Sequence, residues 1–142
     1  MSTLLDTNVL SELLRPRPDG AVLAWFAQQP ANSLYVSAVT QAEMLLGAQL
    51  LPAGKRRTQL ERALDAMFTE DFGERVLSFD VAAAAAYAKV VVTRRRVGRP
   101  ISQFDAQIAA IALSHRASLA TRNIADFEDC GLMLSNPWSS AQ

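Results

Sequence analysis

The sequence has very few residues of the kinds that form disulfides, zinc sites or histidine catalytic pairs. Among its 142 residues there are one cysteine, Cys130, and one histidine, His115. A lone cysteine cannot form an intramolecular disulfide, and with one histidine it cannot form a cysteine-rich zinc site. Because there is only one histidine, a ribonuclease mechanism that uses two histidines of a single chain is also excluded. We expect both residues to be structural, with His115 packed inside an apolar helix.

The chain also lacks an excess of charge of either sign and a long apolar run. Its 14 basic and 14 acidic residues balance, which argues against a histone-like polyanion binder. No apolar stretch approaches the roughly 20 residues of a membrane span. The N-terminal apolar run is interrupted by Asp6 and lacks the basic region of a signal peptide. We therefore expect one compact domain in the cytoplasm, without a membrane partner.

Short apolar segments alternate with helical patterns along the chain. Strands are predicted at 3–5, 33–36, 76–79, 118–120 and near 132–134. The helices between them begin at polar capping residues and end at proline or glycine, and one amphipathic helix is predicted at 55–71. This alternation is typical of a parallel sheet covered by helices on both faces. Residues 1–138 are predicted to form a single domain, and 139–142 a polar C-terminal tail.

Four acidic residues fall at predicted strand ends or shortly after them. Asp6 follows the first strand, Glu43 lies on the helix after the second, and Asp126 follows the fourth. Asp105 is in the first turn of a helix that begins at Ser102. Taken alone, the three aspartates have the positions of helix or turn caps, and Glu43 that of a solvated helix residue. Ligands of open α/β sheets bind beyond the carboxyl ends of the strands, where the four acids would converge.

Converging carboxylates repel one another unless a cation neutralises them. An all-oxygen set suits a hard divalent cation, and Mg²⁺ is often held by one or two carboxylates together with waters and substrate phosphate oxygens. We expect Asp6 and Asp105 to bind the metal directly, and Glu43 and Asp126 to act through water or to hold a second ion. The neutral residues that would orient metal-bound waters are Thr7, Asn8, Ser37, Thr121 and Asn123.

Four sequence motifs carry these acids in order. They are LLDTNVL at 4–10, SAVTQAEMLLG at 37–47, DAQIAA at 105–110 and TRNIADF at 121–127. In this order and spacing they resemble the acidic motifs of PIN domains, from residue 3 to about residue 138. The chain is most similar to the VapC toxins of bacterial type II toxin–antitoxin systems. SELLRP at 11–16 and NPW at 136–138 point to the FitB and plasmid-stability StbB branch.

The resemblance implies a three-layer α/β/α PIN-like fold around a mostly parallel sheet of four to five strands. It also implies an endoribonuclease that depends on Mg²⁺ or Mn²⁺, is homodimeric, and is inhibited by a cognate antitoxin that binds operator DNA. In such an enzyme water attacks an RNA phosphodiester in line and leaves a 5′-phosphate and a 3′-hydroxyl. Asp6, Glu43, Asp105 and Asp126 would be its catalytic and metal-binding residues. Some members of the branch have an acid where Asn123 stands.

The basic residues are twelve arginines and two lysines, and arginine suits bidentate contact with phosphate. Those near the expected site are candidates for contact with RNA or with an antitoxin: Arg15, Arg17, Arg94, Arg95, Arg96, Arg99 and Arg122. The group at 94–99 has an equally good structural explanation, as a solvated helix end whose cations complement the helix dipole.

Two other functions compete with the nuclease. A haloacid-dehalogenase-like phosphotransferase also has an aspartate after its first strand, but it needs a second one at the position of Asn8. The main alternative is a non-catalytic PIN scaffold that binds an antitoxin and, through it, operator DNA. The presence of all four acids favours the nuclease.

Overall fold

Residues 1–139 are described by the structure, a computed structural model. Its strands are β1 (Thr3–Leu5), β2 (Leu34–Ser37), β3 (Val76–Leu77), β4 (Ser118–Ala120) and β5 (Leu134–Ser135). Its helices are α1 (Thr7–Leu13), α2 (Gly20–Gln28), α3 (Ala38–Gln49), α4 (Lys55–Ala66), α5 (Val81–Arg96) and α6 (Gln103–Ser114). The predicted tail at 139–142 lies outside the described residues, apart from Ser139 at the end of a 3₁₀ turn.

All neighbouring strands pair in parallel, in the order β3-β2-β1-β4-β5. The first strand is therefore central, and Leu4 lies between Tyr35 of β2 and Leu119 of β4. Parallel strands present their carboxyl ends at one edge of the sheet. The chain therefore leaves β1 at Asp6 and β4 at Thr121, at neighbouring positions on this edge.

Both faces of the sheet are covered, because successive side chains of a strand point to opposite sides. Leu4 and Leu119 belong to an apolar cluster with α5 and α6. The next residues along the two strands, Leu5 and Ala120, belong to a second cluster with α1, α2 and α4. These two clusters confirm the predicted α/β fold with helices on both sides of a parallel sheet. Within residues 1–139 no helix is long and apolar enough to cross a bilayer.

Several local predictions differ from the structure. The third strand has two residues rather than the four predicted at 76–79, and the last strand begins at Leu134 rather than near 132. The helix predicted at 55–71 ends in a π-helical turn, Met67–Asp71. The expectation that His115 packs inside a helix is wrong. It is the exposed C-cap of α6, because the helix ends at Ser114 and Arg116 takes a positive φ of 53°.

Candidate active site

A crevice of about 540 Å³ lies where the chain leaves the carboxyl ends of β1 and β4. Residues from α1, α3, α6 and the segment after β5 complete it. Its acidic lining residues are Asp6, Glu12, Glu43 and Asp105, and the others are Thr7, Asn8, Ser11, Arg15, Arg122, Asn123 and Trp138. Three of the four predicted acids therefore share one crevice.

Asp6 is the N-cap of α1 and is only 6% exposed. Its Oδ1 accepts a hydrogen bond from the Thr7 backbone N–H at 2.8 Å, and its Oδ2 accepts one from the Thr121 hydroxyl at 2.8 Å. Each oxygen of an ionised carboxylate can accept a second bond. The capping role and the role at the crevice are therefore compatible in one side chain.

Two of the predicted acids of the crevice, Asp6 and Asp105, have raised pKa values. Burial raises the pKa of Asp6, the hydrogen bonds from Thr121 and Thr7 oppose the change, and the charges of Glu43 and Asp126 raise it further. Burial also raises the pKa of Asp105, and repulsion from Asp6 adds to it. A cation between these carboxylates would relieve both the desolvation and the repulsion.

A chain of hydrogen bonds connects Glu43 to the end of β2. The Thr7 hydroxyl donates to Glu43 Oε1 at 2.8 Å and lies 3.0 Å from the Thr40 hydroxyl. The Thr40 backbone N–H in turn donates to Ser37 Oγ at 3.0 Å. Ser37 and Thr40 are fully buried. Ser37 lies outside the crevice lining and supports, through Thr40, the residue that contacts Glu43.

The remaining predicted acids occupy different positions relative to the crevice. Asp105 lines it from the first turn of α6, where its backbone N–H donates to the Ser102 hydroxyl at 3.2 Å. Asp126 is exposed in a 3₁₀ turn, Ile124–Phe127, outside the lining, whereas Asn123 is part of the lining. The charge of Asp126 still raises the pKa values of Asp6 and Asp105. The fourth acid thus acts on the crevice at longer range.

The donor set fits a hydrated divalent cation better than a fully protein-bound one. Across residues 1–139, no three acidic, histidine or cysteine side chains are close enough to ligate one ion together. Mg²⁺ keeps several of its waters and is commonly held by one or two carboxylates. Asp6, Glu43 and Asp105 offer only oxygen donors, and the first is already oriented by two hydrogen bonds. These are the residues that could hold such an ion.

Glu12 is a further acid of the crevice that was not predicted from the sequence. It is only 6% exposed, and its carboxylate accepts hydrogen bonds from the Asp19 backbone N–H at 2.8 Å and from Arg15 Nη1 at 3.3 Å. These contacts fix the turn between α1 and α2. Asn8, Ser11, Glu12 and Arg15 have the i, i+3, i+4, i+7 spacing of one helix face. That polar stripe is the signal that could have identified Glu12.

Arg94 does not have the exposed position expected of a contact with RNA or an antitoxin. It is 4% exposed, and its guanidinium donates to the backbone carbonyls of Arg99 at 2.6 Å and Asp126 at 2.7 Å. It also lies 3.6 Å from the Sγ of Cys130, whose thiol pKa is raised by burial. These bonds hold the segment 124–130 against the end of α5, so Arg94 is a structural residue.

The other candidate arginines separate into three groups. Arg99 supports the same segment, since it forms ion pairs with Glu128 at 3.1 Å and Asp129 at 3.6 Å. Arg17, Arg95 and Arg96 lie outside the crevice lining. Arg15 and Arg122 are the two that line it.

Comparison with known proteins identifies the family. The PIN domain model matches residues 3–130. The chain belongs to the PIN-domain family. This PIN domain is 43% identical over 138 residues to VapC ribonuclease Y4jK of Sinorhizobium fredii, which covers 97% of the chain and 99% of the relative. It is 39% identical over 135 residues to Toxin FitB of Neisseria gonorrhoeae, covering 95% and 97% respectively.

A solved structure supports the same relationship. The PIN domain superposes on a chain in "Structure of FitAB bound to IR36 DNA fragment" with a TM-score of 0.92 and 38% sequence identity. The match covers 99% of this chain and 98% of the other. The resemblance to the VapC group, drawn from the four motifs, is confirmed. The α/β/α fold of this PIN domain is confirmed as well.

Proposed function

We propose that this PIN-domain protein is the toxin of a type II toxin–antitoxin system and a Mg²⁺-dependent endoribonuclease, with Mn²⁺ as a substitute ion. The observation that carries the proposal is the meeting of Asp6, Glu43 and Asp105 in one crevice from three separate segments. Relatives that match nearly the whole chain are named ribonuclease or toxin. Together these support hydrolysis of RNA phosphodiester bonds.

Asp6 and Asp105 are assigned as the direct metal-binding acids, with Glu43 and Asp126 acting through water. A divalent cation bound there supplies Lewis acidity to the phosphodiester and to the attacking water. The protein holds the carboxylate ligands in place through hydrogen bonds. Thr7 joins two of them, since its backbone N–H donates to Asp6 and its hydroxyl donates to Glu43.

Neutral residues complete the proposed site. Thr121 orients Asp6 from the other side through its hydroxyl. Asn8 and Asn123 line the crevice, where their amides can hydrogen-bond to water or to the RNA backbone. These residues can orient water and substrate without adding charge to an already acidic site.

The protein partner in this proposal is a cognate antitoxin, which binds operator DNA and so brings the toxin to it indirectly. A second groove, of about 720 Å³ and lined in part by Leu14, Met44 and Leu60, lies between α1, α3 and α4. It shares Arg15 and Glu43 with the crevice. An apolar antitoxin segment in this groove would reach the active site and block it. The active toxin is proposed to be a homodimer that works in the cytoplasm, where its RNA substrates are.

The test is cleavage by the purified protein after removal of the antitoxin. We expect cleavage of structured RNA in Mg²⁺, complete loss in EDTA, and recovery when Mg²⁺ is restored. Asp6→Asn and Asp105→Asn should lower the rate by at least about 100-fold, since each removes a charge from the proposed metal site. The same substitutions should abolish growth inhibition in cells.

Asp65→Asn is the matched control, because Asp65 is exposed on α4 outside the crevice. It should cleave RNA and inhibit growth like the wild type. Growth inhibition that survives both crevice substitutions would exclude a metal-dependent nuclease. A wild-type protein that binds antitoxin and operator but leaves RNA intact would instead favour the non-catalytic scaffold.

A further inference from the structure

One wall of the crevice is formed by an arginine stacked on a tryptophan. Arg122 follows β4 and Trp138 follows β5, and both line the crevice with Asp6 and Asp105. The Cζ atom of Arg122 is 5.0 Å from the centroid of the Trp138 ring. A guanidinium at this distance from an indole gains a cation–π contact and loses part of its rotational freedom.

The backbone on both sides of this pair is held by asparagines. The Arg122 backbone N–H donates to Asn8 Oδ1 at 3.3 Å, and the Arg122 carbonyl accepts from Asn136 Nδ2 at 3.4 Å. The same Asn136 side chain accepts a hydrogen bond from the Trp138 backbone N–H at 2.9 Å. The Trp138 ring packs against the second apolar cluster. Arginine and tryptophan are therefore fixed relative to each other and to α1.

The guanidinium of Arg122 is exposed and keeps its hydrogen-bonding capacity. Among residues 1–139 it forms neither an ion pair nor a side-chain hydrogen bond. The other arginine of the crevice, Arg15, is paired with Glu12 at 3.3 Å. Arg94 and Arg99 already bind the segment 124–130, through the Asp126 carbonyl and the Glu128 carboxylate respectively. Arg122 thus lines the crevice with guanidinium N–H donors that have no acceptor among residues 1–139.

We propose that Arg122, held by Trp138, is an RNA-binding clamp that contacts a backbone phosphate next to the cleaved bond. Arg122 is the residue that touches RNA, and Trp138 is its positioning residue. A planar guanidinium can donate two parallel hydrogen bonds to one phosphate. The stacking on Trp138 reduces the entropy lost when those bonds form. This inference rests on the proposed function, since RNA must enter the crevice for the clamp to meet it.

RNA explains the pair better than an acidic protein segment does. A peptide rich in carboxylates would bring further negative charge beside Asp6, Glu43 and Asp105 without a cation of its own. A phosphodiester has to approach the same acids in any case, because it is the proposed substrate. The clamp then offsets part of the repulsion that the RNA backbone meets there.

The clamp is tested by RNA binding, which does not require cleavage. All proteins carry Asp6→Asn to prevent cleavage, and a fluorescein-labelled single-stranded RNA is titrated by anisotropy in Mg²⁺ at several salt concentrations. Arg122→Met should weaken binding about tenfold. It should also reduce the salt slope of log K by about 0.7, the loss of one phosphate contact on a single strand. Arg122→Lys should bind with intermediate affinity, because it keeps the charge and loses the planar fork.

Arg62→Met is the matched control, since Arg62 is an exposed arginine of α4 outside the crevice. It removes the same charge and should bind RNA as the parent does. The positioning role of Trp138 is measured with position 6 left as aspartate. Trp138→Leu should raise KM several-fold with little change in kcat, and Trp138→Phe should restore part of the loss because phenylalanine keeps a weaker cation–π contact. Thermal denaturation confirms that each variant is folded.

Equal affinities and salt slopes for Arg122→Met and Arg62→Met would overturn the clamp. So would a loss of antitoxin binding in Arg122→Met with RNA binding unchanged, since the pair would then serve a protein partner. If Arg122→Met weakens RNA binding as expected while the wild type fails to cleave any RNA, the contact of Arg122 with RNA stands and the nuclease proposal fails.

Discussion

Thr121 shows how a single neutral side chain can prepare a charged site. It is fully buried, donates to Asp6 Oδ2 at 2.8 Å, and accepts the Asn123 backbone N–H at 3.0 Å. Thr121→Val keeps the shape of the side chain and removes both bonds. Because groups behind a metal ligand orient it, we expect the affinity for Mg²⁺ or Mn²⁺ to fall by about 10- to 100-fold. Calorimetric titration with Mn²⁺ and the Mg²⁺ dependence of cleavage measure the change.

Thr121→Ser is the conservative control and should recover most of the affinity, because its hydroxyl can make both bonds. A second control is Thr69→Val, which removes a hydroxyl bonded to the Asp65 carbonyl on the surface. It should bind the metal like the wild type. An unchanged metal affinity in Thr121→Val would show that Asp6 does not need this hydrogen bond for its orientation.

At the scale of the element, α5 shows how a helix start can be read from the sequence and tested by itself. Asp80 is its N-cap, and its Oδ1 accepts the Ala83 backbone N–H at 3.0 Å. Asp80→Ala removes this acceptor and should lower the free energy of unfolding by about 1 kcal/mol, as measured by urea denaturation. Asp80→Asn keeps a capping oxygen and should lose much less. RNA cleavage per folded molecule should be unchanged in both, since Asp80 lies outside the crevice lining. A clear loss of activity in folded Asp80→Ala would show that the start of α5 influences the site.

The elements were predictable where a local rule determines them. Asp80 and Ser102 are caps in the structure as expected, and alternating apolar segments correctly predicted a parallel sheet. The strand order and the burial of Arg94 depend on contacts between distant segments, such as the bond from Arg94 to the Asp126 carbonyl. No local pattern reports such a contact. A run of arginines at a helix end is therefore compatible with both a surface patch and a buried support.

Sequence predicted only part of the candidate site, because some of its residues are brought there by contacts between distant segments. Asp6 follows the carboxyl end of β1, and Asp105 lies in the first turn of α6. Both ends meet at one edge of the parallel sheet, so topology brings the two acids together. Glu12 lines the same crevice from the last turn of α1, and only the polar stripe that includes this helix indicates it. Trp138 reaches the crevice from the segment after β5, whose place beside β4 is a long-range pairing.

At the scale of the whole molecule, balanced charge conceals opposed local fields. The 14 acidic and 14 basic residues cancel in sum, yet the crevice collects four carboxylates and only two arginines. Of these arginines, Arg15 is paired with Glu12 and Arg122 is stacked on Trp138. The site is therefore locally acidic in a neutral protein. A cation and a correctly placed arginine each offset part of that local charge and so favour the binding of a nucleic acid there.

This local excess of negative charge links metal binding to the stability of the whole domain. Because the pKa of Asp6 is raised in the folded chain, its charged form opposes folding at neutral pH. The penalty shrinks as the pH falls below the folded pKa and is absent below the ordinary pKa of 3.8. Without metal, Asp6→Asn should therefore increase the free energy of unfolding by on the order of 1 kcal/mol. Asparagine is also a good N-cap, so α1 keeps its start.

With bound metal, the wild type should instead be more stable than Asp6→Asn. At about 100 times its dissociation constant, Mg²⁺ should stabilise the wild type by about 2.7 kcal/mol, whereas Asp6→Asn should gain little because it has lost a proposed ligand. Urea denaturation with EDTA and with Mg²⁺ measures both effects, and Asp65→Asn serves as the control for loss of a surface charge. If wild type and Asp6→Asn respond equally to Mg²⁺, the ion does not bind at Asp6. If Asp6→Asn is less stable than the wild type in EDTA, the carboxylate contributes more through its two hydrogen bonds than it costs through burial and repulsion.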